Sequence, residues 1–180
     1  MKNKYVEGKY IYLRSPELFD VRGKWYEWFS DEEITKYLVD HRFPNTKERQ
    51  EEFFKNNYKD QNNLILSVIK KKNEEHIGIV SINKINWFHK YGDVAIVMGK
   101  NTSNEALEAF SLILKVAFLR INLENLKGTC VLSHKSSLNL MKLFGFEKVG
   151  QYKNLYEIDG KKDDCLVMQL SKKKWVSRNR

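Results

Sequence analysis

The chain has 180 residues, 42% hydrophobic and 13% aromatic, which is long enough for one well-buried core and short for two domains. Its 32 Lys and Arg against 23 Asp and Glu give a formal charge of +9, but the basic residues are spread along the chain, with clusters only at residues 70–72 and 172–174 and in the final Arg178-Asn179-Arg180. No aromatic-basic motif or Lys/Arg-rich recognition helix accompanies them, so the charge reads as solvated surface and not as a nucleic-acid site. No apolar run approaches the roughly 18–20 residues of a membrane span, and the opening Met-Lys-Asn-Lys-Tyr-Val lacks the apolar stretch of a secretion signal, so a cytoplasmic protein is expected.

Residues 9–14 (Lys-Tyr-Ile-Tyr-Leu-Arg) alternate like a first strand, and Ser15-Pro16 then opens a helix predicted to run to about Phe29. Ser30 with Glu33 gives a capping-box pattern for a short helix through Leu38, and Thr46, after the turn at Phe43-Pro44, caps a helix through about Tyr58. Strands are predicted at residues 64–69, 77–83 and 93–98, the first two joined by the polar turn at 70–75. Leu107, Phe110, Ile113, Leu114, Ala117, Phe118 and Ile121 recur at three- and four-residue spacing, marking the core face of a helix over residues 104–120. A buried strand at 126–133 precedes a short helix at 136–144 that Gly145 ends. Strands at 147–158 and 164–170 follow, joined by Asp159-Gly160, a pair that favours a tight hairpin. The sum is a mixed α/β (α+β) domain over residues 1–175 with a basic tail at 176–180 and a largely antiparallel sheet of about seven strands, with helices on both faces. A cleft is expected where the strands at 93–98 and 126–133 run parallel through the long helix.

The segment from Gly92 to Arg120 carries the first functional signal. A strand that stops at Gly99, crosses a few small polar residues and enters a helix leaves backbone amides free at the helix mouth, where a phosphate can sit. Thr102 with Glu105 matches a capping box that would hold that first turn. Cys130 and Cys165 lie in strand-like runs and read as buried free thiols. His41, His76, His89 and His134 never come at metal-ligand spacing, so no metal is expected.

Several pieces, in order, resemble the GNAT superfamily of acyl-CoA-dependent N-acyltransferases: Tyr-Ile-Tyr-Leu-Arg-Ser-Pro near the start, the run from Trp28 to Leu38, His-Ile-Gly-Ile-Val at 76–80, Gly-Asp-Val-Ala-Ile-Val-Met-Gly at 92–99, Asn-Glu-Ala-Leu at 104–107, Leu-Phe-Gly-Phe-Glu at 143–147 and Asp-Cys-Leu-Val-Met at 164–168. Within the superfamily the chain looks most like the branch holding ribosomal-protein N-terminal acetyltransferases and acetyltransferases of amino sugars or antibiotics. The resemblance implies a single-domain GNAT-like fold that takes acetyl-CoA as co-substrate. The implied cofactor-binding residues are Val97, Met98, Gly99, Lys100, Asn101, Thr102, Ser103, Asn104 and Ser136. The family loop usually carries spaced glycines, whereas residues 99–104 are Gly-Lys-Asn-Thr-Ser-Asn, shorter and without the internal ones.

Transfer of an acyl group to an amine requires a base, a polarised carbonyl and an acid for the leaving thiolate. Asp93 stands where relatives often carry a Glu and is the implied base. Counting back from Gly145, the positions where many relatives place Asn and Tyr hold His134 and Met141; methionine donates no proton, which leaves His134, Ser133, Ser136 or water as the acid. Residues 28–38, 40–43, 87–89 and 152–156 supply acceptor-pocket candidates, among them Trp28, Arg42, Trp87, His89 and Tyr156. The resulting expectation is acetyl transfer to a primary amine of a small molecule, a sugar nucleotide among the candidates, by a monomer or homodimer. The alternatives are a protein N-terminal acetyltransferase and a non-catalytic GNAT-like binding protein.

Overall fold

The computed structural model describes residues 3–38 and 43–178. Eight strands form one sheet in the order β1-β2-β3-β4-β5-β6-β8-β7. The strands are β1 (Lys4–Glu7), β2 (Ile11–Arg14), β3 (Leu64–Lys70), β4 (His76–Asn86), β5 (Tyr91–Met98), β6 (Asn125–Val131), β7 (Glu147–Ile158) and β8 (Lys161–Ser171). The helices are α1 (Leu18–Arg22), α2 (Lys24–Phe29), α3 (Glu32–Thr35), α4 (Lys47–Lys59), α5 (Ser103–Lys115), α6 (Lys135–Leu143) and α7 (Lys172–Arg178), with a π-helical turn, Val116–Arg120, continuing α5. The eighth strand is β1, which the sequence reading missed because it is short and only half-buried.

Every neighbouring pair is antiparallel except β5 and β6, which run parallel and pair only at Tyr91↔Asn125, Gly92↔Leu126 and Asp93↔Lys127. Beyond Asp93 the two strands part. β5 stays with β4 as far as Gly78↔Met98, while β6 stays with β8 as far as Val131↔Cys165, so the sheet forks. Helix α5 returns the chain from the open end of β5 to the start of β6, as a parallel crossover requires.

The face carrying Val80, Ile82, Val94 and Leu126 packs against Phe110, Ile113, Leu114, Ala117 and Phe118, the stripe expected from helical spacing. Leu107 departs from that stripe and is 40% exposed, because the first turn of α5 stands at the mouth of the fork and not over the core. On the opposite face Val21, Trp25 and Trp28 cover Ile79 in a smaller cluster. The C-terminal hairpin forms as read: Asp159 and Gly160 both take positive φ, 50° and 74°, the requirement of a type I′ turn. Gly145, at φ 89°, closes α6 in a Schellman motif, its amide on Lys142 O at 3.0 Å and that of Phe146 on Met141 O at 3.0 Å. Helix α7 runs through residue 176, where a tail was expected, and Trp175 packs on Phe118 with ring centroids 5.4 Å apart.

The helix expected over residues 16–29 is broken at Gly23 into α1 and α2. Its start lies at Leu18, because the Asp20 carboxylate accepts the Glu17 amide at 2.8 Å, two residues past Ser15. The third helix is capped by Asp31, which accepts the Glu33 amide at 3.0 Å, not by Ser30, and it stops at Thr35, short of Leu38.

Asp20 is 1% exposed, and its oxygens hold Arg14 Nη1 and Nη2 at 2.6 and 2.9 Å and Ser67 Oγ at 3.1 Å, with His76 Nδ1 3.3 Å away. Burial acts to raise the Asp20 pKa, but the Arg14 hydrogen bond and the neighbouring charges outweigh it and hold the carboxyl below its usual range. Burial pushes His76 the other way for an imidazole, down to about 4. Unfolded His76 therefore takes up a proton between about pH 6.5 and 4 that the folded chain refuses, and stability falls as pH falls through that window. A shift of this size corresponds to about 3 kcal/mol when fully expressed. Melting at pH 7 and pH 4.5 should show a loss of about 5–10 °C in wild type, much of it absent in His76→Gln. Arg14→Met strands a buried carboxylate and should cost about 3–5 kcal/mol in denaturant unfolding.

Candidate active site

The fork between β5 and β6 opens into a cleft of about 900 Å³ that passes through the sheet. Val94, Ile96 and Met98 from β5 line it on the side of α5 and α6, together with Ser103, Phe110, Ser136 and Met141. From the other face come Glu33, Ile34, Tyr37 and Leu38, at and just after α3. One cleft therefore has two entrances, one between two helix starts and one beneath the short helix α3.

The helix starts are the polar end. No side chain caps α5, and its first backbone hydrogen bond runs from Ala106 N–H to Thr102 O at 2.8 Å, so the Ser103 and Asn104 amides precede the helical ladder. The expected capping box is not formed. Thr102 Oγ1 instead donates back to Gly99 O at 2.6 Å, and Glu105 pairs with Lys70 Nζ on β3 at 2.9 Å. No side chain caps α6 either, which begins at Lys135 beside Ser136 and Ser137 on the cleft wall. Unused amides at two helix starts, reached along an apolar trough, fit a phosphorylated carrier with an apolar arm.

Of the predicted cofactor residues, Val97, Met98, Ser103 and Ser136 line the cleft, whereas Gly99, Lys100, Asn101, Thr102 and Asn104 do not. Lys100 is turned aside by an ion pair with Asp31 Oδ2 at 2.7 Å, which raises the lysine and lowers the carboxylate. Asn101 takes the left-handed conformation, φ 60°, that glycine would adopt more cheaply, and Thr102 is buried under its bond to Gly99. Gly99 itself packs on the indole of Trp28, where a Cβ would lie 3.1 Å from Nε1.

Asp93 is at the apex of the fork, the last residue of β5 paired with β6. It shares a sheet face with Ala95 and Val97, its side chain is 34% exposed, and Lys127 Nζ stands 3.1 Å from Oδ1. It does not line the cleft wall but stands where the two walls meet. His134, the residue before α6, lines the cleft and stacks flat on Tyr37, with ring centroids 4.2 Å apart and planes 7° from parallel. Burial lowers the His134 pKa. Met141 covers Gly128, whose Cβ would fall 2.4 Å from the methionine methyl, so any side chain at 128 would displace the thioether.

The acceptor candidates fare unevenly. Trp28 is only 7% exposed, because it faces inward with Val21 and Trp25 and meets the His76 ring edge-on at 4.9 Å; it is core and not a pocket wall. Trp87 and His89 sit on the β4–β5 turn, at the closed end of the fork and outside the cleft lining. Arg42 lies outside the described residues. Tyr156 lines a small adjoining cavity of about 30 Å³ that shares Tyr37, Leu38 and Thr129 with the main cleft. There Lys36 reaches Asp159 Oδ2 at 3.6 Å, tying α3 to the β7–β8 turn. Glu33, Tyr37 and Lys135 were not singled out from the sequence. The first two lie in the segment 28–38 that was read as acceptor wall, and Lys135 carries no local mark beyond its place before Ser136.

No group of described His, Cys, Asp or Glu residues is arranged to hold a metal, and no helix among the described residues is long and apolar enough to cross a membrane. Among curated protein sequences no relative matches the chain. Solved structures do. Spermidine N-acetyltransferase from Vibrio cholerae, crystallised with CoA and spermine, superposes with TM-score 0.84 at 19% identity, over 94% of this chain and 99% of that one. A GCN5-related N-acetyltransferase from Brucella melitensis gives 0.79 at 19%, over 98% and 82%, and a GNAT-family acetyltransferase from Bacillus anthracis gives 0.79 at 19%, over 93% and 98%. The family profile of the acetyltransferase (GNAT) domain matches residues 11–147, a span that holds the fork, both helix starts and the apex, and the chain therefore belongs to the GNAT acetyltransferase family as an acyl-CoA-dependent N-acyltransferase.

Proposed function

We propose that the protein acetylates a primary amine of a small, cationic aliphatic molecule by direct attack of the amine on the acetyl thioester. The observation that carries this reading is the cleft that passes through the sheet, with one opening between α5 and α6, which we read as the donor entrance, another under α3, which we read as the acceptor entrance, and Asp93 at the point where β5 and β6 part. Acetyl-CoA supplies an activated acyl thioester when bound. The chain supplies the Ser103 amide at the mouth of α5 for phosphate, the apolar trough for the arm, and a carboxylate at the apex to take the ammonium proton, directly or through water. Direct attack is supported by the state of the two thiols: Cys130 and Cys165 are both buried, and burial raises the pKa of each, so neither is an activated nucleophile.

The acceptor side supports a cation. Glu33 is the single carboxylate among the described residues lining the main cleft, and the β7–β8 hairpin carries Glu157, Asp159, Asp163 and Asp164, of which Glu157 pairs with Lys162 and Asp159 with Lys36. The single lysine lining the main cleft, Lys135, lies at the α6 start, and Lys36 of the adjoining small cavity is already paired with Asp159 at 3.6 Å and Glu33 at 3.9 Å, which leaves little free positive charge for a sugar nucleotide's phosphates. The Vibrio cholerae neighbour, named a spermidine N-acetyltransferase, agrees with this charge pattern.

Thiol release from acetyl-CoA should be followed with spermidine, an amino-sugar nucleotide and short peptides as acceptors. Spermidine should exceed the others by about tenfold or more in kcat/KM, the value of one well-placed charge contact; a peptide or sugar nucleotide in first place would overturn the acceptor assignment. Asp93→Asn should lower kcat by about 10²- to 10⁴-fold, the usual range for a lost general base. Ser103→Glu puts a negative charge where the α5 dipole favours it and a phosphate would compete. Its melting temperature should hold or rise, while acetyl-CoA affinity falls by about tenfold or more.

A further inference from the structure

We propose that the closed end of the sheet docks on an anionic phospholipid surface, with Trp87 and Phe88 entering the headgroup layer and nearby lysines meeting the lipid phosphates. The turn between β4 and β5 takes no part in the cleft, yet it presents two large apolar side chains to solvent, Trp87 at 50% exposure and Phe88 at 87%. The turn does not need them for its own geometry: the strands close at Asn86↔Tyr91, and the Asn86 side-chain oxygen accepts the His89 amide at 2.7 Å, so polar residues at 87 and 88 would serve it as well. Two adjacent rings left in water call for something to cover them.

Three segments are tied together at this end by hydrogen bonds to the backbone. Glu124 N–H and Asn125 N–H both donate to Lys90 O, at 2.7 and 3.1 Å, and Lys172 N–H donates to Glu124 O at 2.9 Å. On the other flank of the turn Lys84 N–H donates to Asn63 Oδ1 at 3.0 Å. The tip therefore stands on a rigid base that also carries the start of α7, part of the basic cluster at 172–174. Lys84, Lys90 and Lys173 are exposed and have no carboxylate partner among the described residues, whereas Lys172 lies 3.9 Å from Glu124 and Lys127 is held by Asp93. Lys84 and Lys90 also take positive φ, 51° and 53°, which Gly or Asn adopts more cheaply, so two lysines stand where the backbone alone favours another residue. Aromatic rings at the tip with unpaired ammonium groups around its base match the two layers of an anionic membrane interface, which takes Trp and Phe among its headgroups and attracts cations to its phosphates.

Charge argues against a second copy of the chain as the cover, since two such ends would bring like-charged lysines together. A strand of nucleic acid would satisfy the lysines, but it needs a groove to hold its backbone while bases stack. The described cavities lie beyond Asp93, at the other end of β5 and β6, and the Phe88 ring is met at 83° by His89, 4.7 Å away, so the tip is a wedge and not a stacking platform. The cleft lining starts at Val94, three residues or about 10 Å along β5 from Tyr91, so docking through the tip leaves the cleft open.

The experiment is vesicle flotation of the full-length protein with phosphatidylcholine alone and with phosphatidylcholine mixed with phosphatidylglycerol. It uses no acyl transfer, so its outcome and that of the acyltransferase reading are independent. The mixed vesicles should bind at least about tenfold more tightly than phosphatidylcholine alone, and the difference should shrink as salt is raised. Phe88→Ser should weaken that binding by about tenfold or more, and Lys84→Gln and Lys90→Gln by about fivefold each, the value of one lysine at an anionic surface. These side chains are exposed, so the variants should melt with wild type. Trp25 and Trp28 are buried and Trp175 packs on Phe118, so a blue shift of tryptophan emission on the mixed vesicles should disappear in Trp87→Phe. Equal binding to both kinds of vesicle, no binding to either, or binding that Phe88→Ser leaves intact would overturn the proposal. So would a single-stranded oligonucleotide bound in place of the vesicles, or self-association in ultracentrifugation, if Phe88→Ser abolished it; those results would give the tip to nucleic acid or to a second copy.

Discussion

Three backbone pairs, at Tyr91, Gly92 and Asp93, hold the two halves of this sheet together. If β5 and β6 paired along their whole length, there would be no cleft, the starts of α5 and α6 would close over a continuous sheet, and Asp93 would be one carboxylate in a row. Because the pairing stops, the amides and carbonyls of both strands beyond the apex face a gap, and buried backbone groups need partners. A pantetheine arm carries amide groups of its own and can answer them. The site is in this sense an unfinished sheet.

The two faces of the fork are built by different means. The α5 side is ordinary hydrophobic packing, a helical stripe on alternating strand residues. The opposite side has a smaller apolar cluster and depends on the Asp20 network, in which a carboxylate is held beneath α1 by Arg14 and Ser67. Breaking such a network costs more than forming it gains, because an unpaired buried charge is left behind. Trp28 lies between this network and the loop that leads into α5, touching His76 on one side and Gly99 on the other. The layer of α1 and α2 and the loop before α5 thus share one packed contact.

What the sequence made legible was local. The Asp159-Gly160 turn, the Thr46 cap and the Gly145 terminator rest on chemistry within a few residues, and each formed as read. The capping box at Thr102 failed because Glu105 found Lys70 on a distant strand and Thr102 found Gly99, and no local pattern reports such competitors. Trp28 was misassigned for the opposite reason: Val21, Trp25 and Trp28 stand at helical spacing, a core signal present in the sequence and outweighed by the attraction of an aromatic wall. The segment at 28–38 reaches the cleft through Glu33, Ile34, Tyr37 and Leu38, and which of its side chains turn inward depends on where α3 starts, which the Asp31 cap fixes.

The fork also divides the chain in order. Strands β1 to β5 and helix α5 form one wall, and β6 to β8 with α6 form the other; the polypeptide passes between them once, through the short turn at 121–124. A chain cut at that turn would yield two fragments, each with one wall of the cleft and neither with both. Acetyl transfer would then return only as the fragments reassembled, making this fold a natural two-piece reporter in which activity measures association.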